Sequence, residues 1–207
     1  MKILVLFEES GTVTDAFVGA GHDAYSVDLL PTRGKNPDKH LQKNADEVMG
    51  WIESGMLGHV DMVIAFPPCD YLTNAGVRWL HTEEGRWDKM RDGAERFKRV
   101  LDLPVKYICA ENPVPHKYAR EVIGRPTQYV QPYDFGHLET KKTGLWLKNL
   151  PPLTPTDDVK AETMALPYGE RAKVHYCSPG PLRKRIRSET KNGLAEAMLT
   201  QWGNIND

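Results

Sequence analysis

Cys69 follows two consecutive prolines, Pro67 and Pro68, which close the apolar run from Asp61 to Phe66. A proline fixes its own backbone, lacks an N–H and disfavours helix in the residue before it, so the pair stops a strand and holds the next residue stiffly at the sheet edge. A thiol held there, near backbone N–H groups, is expected to have a depressed pKa and to act as a nucleophile. The plainer reading of a lone cysteine after a strand is a small buried filler. Three other unusual segments also follow short apolar runs: Glu8-Glu9-Ser10-Gly11 after the opening KILVLF, Asp28 after Ala24–Val27, and Glu111-Asn112-Pro113 after Tyr107–Ala110.

Those runs are the elements that must position the chemistry. KILVLF has the shape of a buried central strand. Thr12 to Gly19 reads as a helix closed by Gly19-Ala20-Gly21, and Ala24 to Val27 as a second strand. A helix is expected from about Leu41 to Glu53, then a strand from Asp61 to Phe66. A long amphipathic helix follows from about Glu83 to Leu101, with Trp87, Met90, Ala94, Phe97 and Leu101 inward. Tyr107 to Ala110, Thr127 to Val130 and Gly144 to Leu147 are expected as further strands, and Gly193 to Trp202 as a last helix. Alternating strands and helices imply a mostly parallel sheet with right-handed crossovers and helices on both faces, an α/β architecture. In such a sheet ligands sit beyond the carboxyl ends of the strands, where all four unusual segments fall.

A length of 207 residues fits one domain over 1–207, with residues 150–190, where prolines and charges thicken, as a small loop-rich cap or reduced recognition region. The three cysteines form no CxxC pair, which points away from a disulfide framework or zinc knuckle; no metal is expected. The opening apolar run is too short for a signal peptide and no later run approaches a membrane span, so a cytoplasmic protein without membrane partners is expected. A net charge of -1 excludes coating of nucleic acid by bulk charge. Between Arg171 and Lys191, however, seven basic residues face Glu189 alone, which is either a solvated face or a phosphate-contacting segment.

The stretch from Pro68 to Gly76, PCDYLTNAG, resembles the catalytic motif of cytosine-5 DNA methyltransferases, Pro-Cys-Gln-x-Phe-Ser-x-Ala-Gly, with Pro68, Cys69, Ala75 and Gly76 identical and in register. Asp70, Leu72 and Thr73 replace the usual Gln, Phe and Ser. Glu111-Asn112-Pro113 resembles that family's Glu-Asn-Val, Phe7 and Gly11 match its Phe-x-Gly-x-Gly loop, and Gln201-Trp202-Gly203-Asn204 is similar to its closing Gln-x-Gly-Asn. The resemblance implies a Rossmann-like class I methyltransferase fold that binds S-adenosylmethionine along Phe7, Ser10, Gly11, Asp28, Asp46 and Pro67. Asp28 would take the ribose hydroxyls, and Asp46 either faces adenine or is a surface acid.

In this likeness Cys69 would add to carbon 6 of cytosine, Glu111 would protonate ring nitrogen 3, and Asn112 would position the loop. Thr73, Asn74, Lys141, Lys142, Arg183, Arg185 and Arg187 would contact DNA, with Lys141 and Lys142 standing where the family has arginines. Full-length members insert a large recognition domain, for which only about Leu150 to Ser188 is available, so the chain resembles the short forms found in phages and prophages. The expected function is methylation of carbon 5 of cytosine in DNA, on a flipped-out base. The alternatives are the same chemistry on a nucleotide or RNA, and a non-catalytic methyltransferase-like protein that binds nucleic acid or a partner.

Overall fold

The computed structural model describes residues 1–178, 180 and 182–205. Its strands are β1 (Lys2–Leu6), β2 (Asp23–Asp28), β3 (His40–Gln42), β4 (Met62–Ala65), β5 (Tyr107–Pro113), β6 (Gln128–Val130) and β7 (Thr143–Lys148). Among the described residues these form one sheet in the order β3-β2-β1-β4-β5-β7-β6. The first five pair in parallel; β7 lies between β5 and β6 and runs antiparallel to both.

The sheet is covered on both faces, which explains the near-continuous apolar runs of its central strands. Successive side chains of a strand point to opposite faces. Leu4, Leu6, Val63, Ala65, Ile108 and Ala110 accordingly pack with α2 (Ala45–Glu53), α3 (Arg86–Asp102) and α4 (Lys117–Ile123). Ile3, Val5, Met62, Ile64 and Cys109 pack instead with α1 (Thr12–Gly19) and the C-terminal helix Asn192–Trp202. Trp202 and Phe17, both fully buried, anchor that second layer.

Two expected boundaries shift. The helix expected from Leu41 starts only at Ala45, because Leu41 is taken into β3 by pairing with Val27, and Asn44 caps the helix by accepting a hydrogen bond from Asp46 N at 2.9 Å. Tyr107–Ala110 is prolonged to Pro113, since Glu111, Asn112 and Pro113 pair with Leu145, Gly144 and Thr143 of β7. On its other side β5 overhangs β4, whose pairing stops at Ala65 opposite Ala110. The chain read as loops or a cap contains short helices: α5 (Lys160–Ala165), α6 (Tyr168–Arg171), α7 (Lys173–Tyr176) and α8 (Leu182–Ser188), followed by α9 (Asn192–Trp202). Pro179 and Pro181, within that stretch, lie outside the described residues.

Candidate active site

The overhang of β5 beyond β4 creates the site. Phe66 to Cys69 leaves β4 there, and Asn112, fully buried, donates its side-chain amide to the carbonyl of Pro67 at 2.9 Å. One buried hydrogen bond thus ties the prolines before the cysteine to the neighbouring strand. Downstream, His116 fixes the other side of the loop: its backbone N–H donates to Leu72 O at 2.9 Å, and its Nε2 lies 2.9 Å from Tyr71 O. His116 Nδ1 accepts from Ala119 N at 3.0 Å and so caps α4, which leaves the ring proton on Nε2 for the Tyr71 carbonyl. Burial lowers the pKa of His116, so the ring is held neutral in this role.

Cys69 is partly exposed and lies within the electrostatic reach of Asp70, Glu111 and Lys141. The thiol does not have the depressed pKa expected from its place at a sheet edge. Desolvation raises it, the carboxylates of Asp70 and Glu111 raise it further, and the positive charge of Lys141 opposes them. Glu111 is shifted in the same sense, up from the usual carboxylate range by desolvation, against the pull of Lys141 and a hydrogen bond with Thr143. Burial also pushes Cys109 up, and it sits fully enclosed in the core as a packing residue.

Beside Glu111 lies a cavity of about 30 Å³, whose polar lining includes Gln131, Lys141, Thr143, Glu189 and Lys191. That is room for a water or two, not for a pyrimidine ring. The segment Glu189–Lys191, between α8 and α9, forms one wall, and Lys191 pairs with Glu139 at 2.9 Å. Gln131 carried no local signal in the sequence, whereas Lys191 was visible only as the last cation of the basic segment from Arg171.

At the ends of β1 and β2 the expected ligand residues are occupied differently. Glu8, not Ser10 or Gly11, dominates this turn: it is buried, and its carboxylate accepts from Val13 N at 2.6 Å, Thr14 N at 3.2 Å and the Thr14 hydroxyl at 2.6 Å. It caps α1 in place of the missing cap side chain at Gly11. Gly11, at φ 71°, does not open the backbone to a ligand: a Cβ there would stand 2.6 Å from the Cα of Gly34. The loop after β2 is folded onto it, with Asp15 accepting from Lys35 N and Asn36 Nδ2, both at 2.7 Å. Ser10 Oγ accepts from Thr12 N at 3.3 Å. Phe7, at φ 61°, is partly buried against the α2–α3 layer. Asp28 accepts from Leu30 N through one oxygen. Asp46 pairs with Arg96 of α3, whose Nε lies 3.0 Å from both carboxylate oxygens, which accords with the surface-acid alternative of the two readings.

Of the residues assigned to nucleic acid, Lys141 faces the site, whereas Lys142 lies over the ring of Tyr129 at 4.3 Å on the outer strand. Thr73 forms a bridge to Pro115, and Asn74 begins a 3₁₀ helix, Asn74–His81. Arg183, Arg185 and Arg187 are carried on α8; Arg185 Nε is 4.0 Å from Glu9, beside Arg33, which bridges Glu9 at 2.8 Å and Glu189 at 3.1 Å.

The strand order, the antiparallel β7 and the helices on both faces define a Rossmann-like α/β fold with a mostly parallel sheet. No protein-family model and no curated protein matches the chain. Among solved structures it is similar to a candidate DNA modification methyltransferase encoded within a prophage of E. coli, at 16% identity and a TM-score of 0.42, over 70% of this chain and 45% of that one. The chain thus spans less than half the length of that protein. No helix among the described residues is long and apolar enough to cross a membrane.

Proposed function

We propose that the chain is an S-adenosylmethionine-dependent methyltransferase of cytosine carbon 5 in DNA, working through a covalent adduct with Cys69. The observation that carries this is the arrangement of Cys69 just beyond β4, Glu111 on adjacent β5 and Lys141 just before β7, each within electrostatic reach of the others, with Asn112 tying the cysteine loop to the strand that bears Glu111. The residues at the first two strand ends fit the adenosine half of the cofactor: Asp28 keeps a carboxylate oxygen without a hydrogen bond among the described residues, and Phe7 is only partly buried. Bound there, the cofactor supplies an electrophilic methyl group.

The chain's own residues do the rest. The raised pKa keeps the Cys69 proton on sulfur at rest, and Lys141 favours the thiolate once the base arrives. Cys69 releases its proton to solvent water and the sulfur bonds to carbon 6, while Glu111, also inclined to hold a proton, gives that proton to ring nitrogen 3, so carbon 5 becomes electron-rich. After carbon 5 has gained its methyl group, solvent water takes the carbon-5 proton as the carbon–sulfur bond breaks, nitrogen 3 returns its proton to Glu111, and the released thiolate is reprotonated from solvent. Because the cavity beside Glu111 is too small for a base, the Glu189–Lys191 wall must move to admit one. Because only residues 150–190 of this chain are available for target recognition, the same chemistry on a free nucleotide or RNA is the second reading.

Incubation with radiolabelled cofactor and DNA, RNA or cytidine nucleotides in parallel separates the two. Transfer to DNA that is abolished in Cys69→Ser, with cofactor binding retained, is the expected result; transfer that survives this substitution removes the cysteine from the mechanism.

A further inference from the structure

Between the 3₁₀ helix Asn74–His81 and α4 runs an open groove of about 460 Å³, lined in part by Asn74, Arg78, His81, Lys117, Tyr118 and Arg120. No aspartate or glutamate lines it among the described residues. Its charges are not neutralised locally. Arg86, Arg91, Arg96 and Arg99 on adjoining α3 are each paired with a carboxylate, whereas Arg78, Lys117 and Arg120 make no ion pair among the described residues. Two of them are steadied by aromatic faces instead: the Arg78 guanidinium lies 4.3 Å from the Trp79 ring centre and the Lys117 ammonium 4.6 Å from that of Tyr118. A cation over a ring keeps its full charge for an outside partner.

The walls are firm. His81, Trp87 and Tyr118 pack edge to face, with centroids 4.8 to 5.8 Å apart. The groove also adjoins the cysteine loop, since the Thr73–Pro115 bridge and the His116 N–H to Leu72 bond form the seam between them. Its volume is several times that of one phosphate group, and a cationic channel with aromatic walls is the form that holds a sugar–phosphate chain.

We propose that this groove binds the backbone of the DNA strand carrying the target base, with Arg78, Lys117 and Arg120 on its phosphates; the proposal rests on the DNA reading of the site above. Fluorescence anisotropy of a short labelled DNA strand, titrated at several salt concentrations with cofactor-free protein, tests it. For Arg78→Gln/Lys117→Gln, binding weakens and the slope of log affinity against log salt becomes shallower by about 1.4, two phosphate contacts at roughly 0.7 each. Lys98→Gln, on the exposed side of α3, leaves both unchanged. Arg120→Gln is the independent variant should the double substitution fail to fold.

Affinity and slope that match the wild type overturn the proposal. So does a wild type that binds no DNA, or one whose groove variants lose RNA binding alone. Methyl transfer with unchanged binding in the variants sinks the groove alone, while a shallower slope without any methyl transfer sinks the enzymatic reading and leaves the groove standing.

Discussion

Asn112→Ala removes the buried side-chain hydrogen bond from β5 to the Pro67 carbonyl, in the chain between β4 and Cys69. The Pro67 carbonyl loses its side-chain partner, and the cost of leaving such a group buried and unpaired is about 1–3 kcal/mol. Asn112 Oδ1 is itself buried without a partner among the described residues, so its loss offsets a little of this. For a protein of this size each kcal/mol moves Tm by about 2–4 °C, which gives a fall of roughly 2–12 °C before that small offset. The second readout is alkylation of Cys69 in a Cys177→Ser background, where Cys109 is shielded by full burial. Freed from its tether, the loop exposes the thiol and relieves part of its desolvation, so the alkylation rate rises severalfold at fixed pH. A Tm within a degree of the parent, together with an unaltered alkylation rate, would refute the claim that Asn112 holds the Cys69 loop in place.

The same thiol titrates above the ordinary cysteine range, so its alkylation rate still climbs at pH values where a free thiol has levelled off; Glu111→Gln moves the midpoint down and Lys141→Gln moves it up. Glu111 holds its proton more tightly folded than unfolded, so its stabilising contribution is full below the unfolded carboxylate range and is lost as pH rises through its raised folded value. Glu111→Gln is therefore expected to raise Tm at neutral pH, with the advantage vanishing in acid, and a Tm gain that persists in acid would contradict this. Glu8→Ala leaves Val13 N and Thr14 N unsatisfied at the start of α1 and costs about 1–3 kcal/mol in chemical denaturation, a figure held down by the burial that already disfavours the charged acid.

Much of the scaffold was legible because local pattern decided it. KILVLF is apolar on both sides and becomes a strand covered on both faces; Thr12–Gly19 has the periodicity and closing glycine of the helix observed. The Asn44 cap was also there to be read, and overlooking it merged β3 into α2. What escaped depends on contacts distant in the chain. Nothing local says that β7 inserts antiparallel between β5 and β6, or that Gly11 is small because Gly34 packs on it. In the site, the cysteine and its neighbouring acid were visible as residue types at strand ends. The direction of the thiol's shift was not, because it arises from desolvation and from carboxylates that only the folded chain assembles. His116 went unread as a cap because histidine is not among the residues that usually fill that role.

The parity of β5 has one more consequence. Cys109 and Glu111 share the α1–α9 side of the sheet, and Asn112 belongs with Ile108 and Ala110 on the other. Insertion or deletion of a single residue before Glu111 would exchange the two, turning the acid into the packed layer and the amide toward solvent. Any function that needs Glu111 facing the cavity and Asn112 on the cysteine loop therefore also forbids length changes in this strand, even ones the hydrophobic core would tolerate.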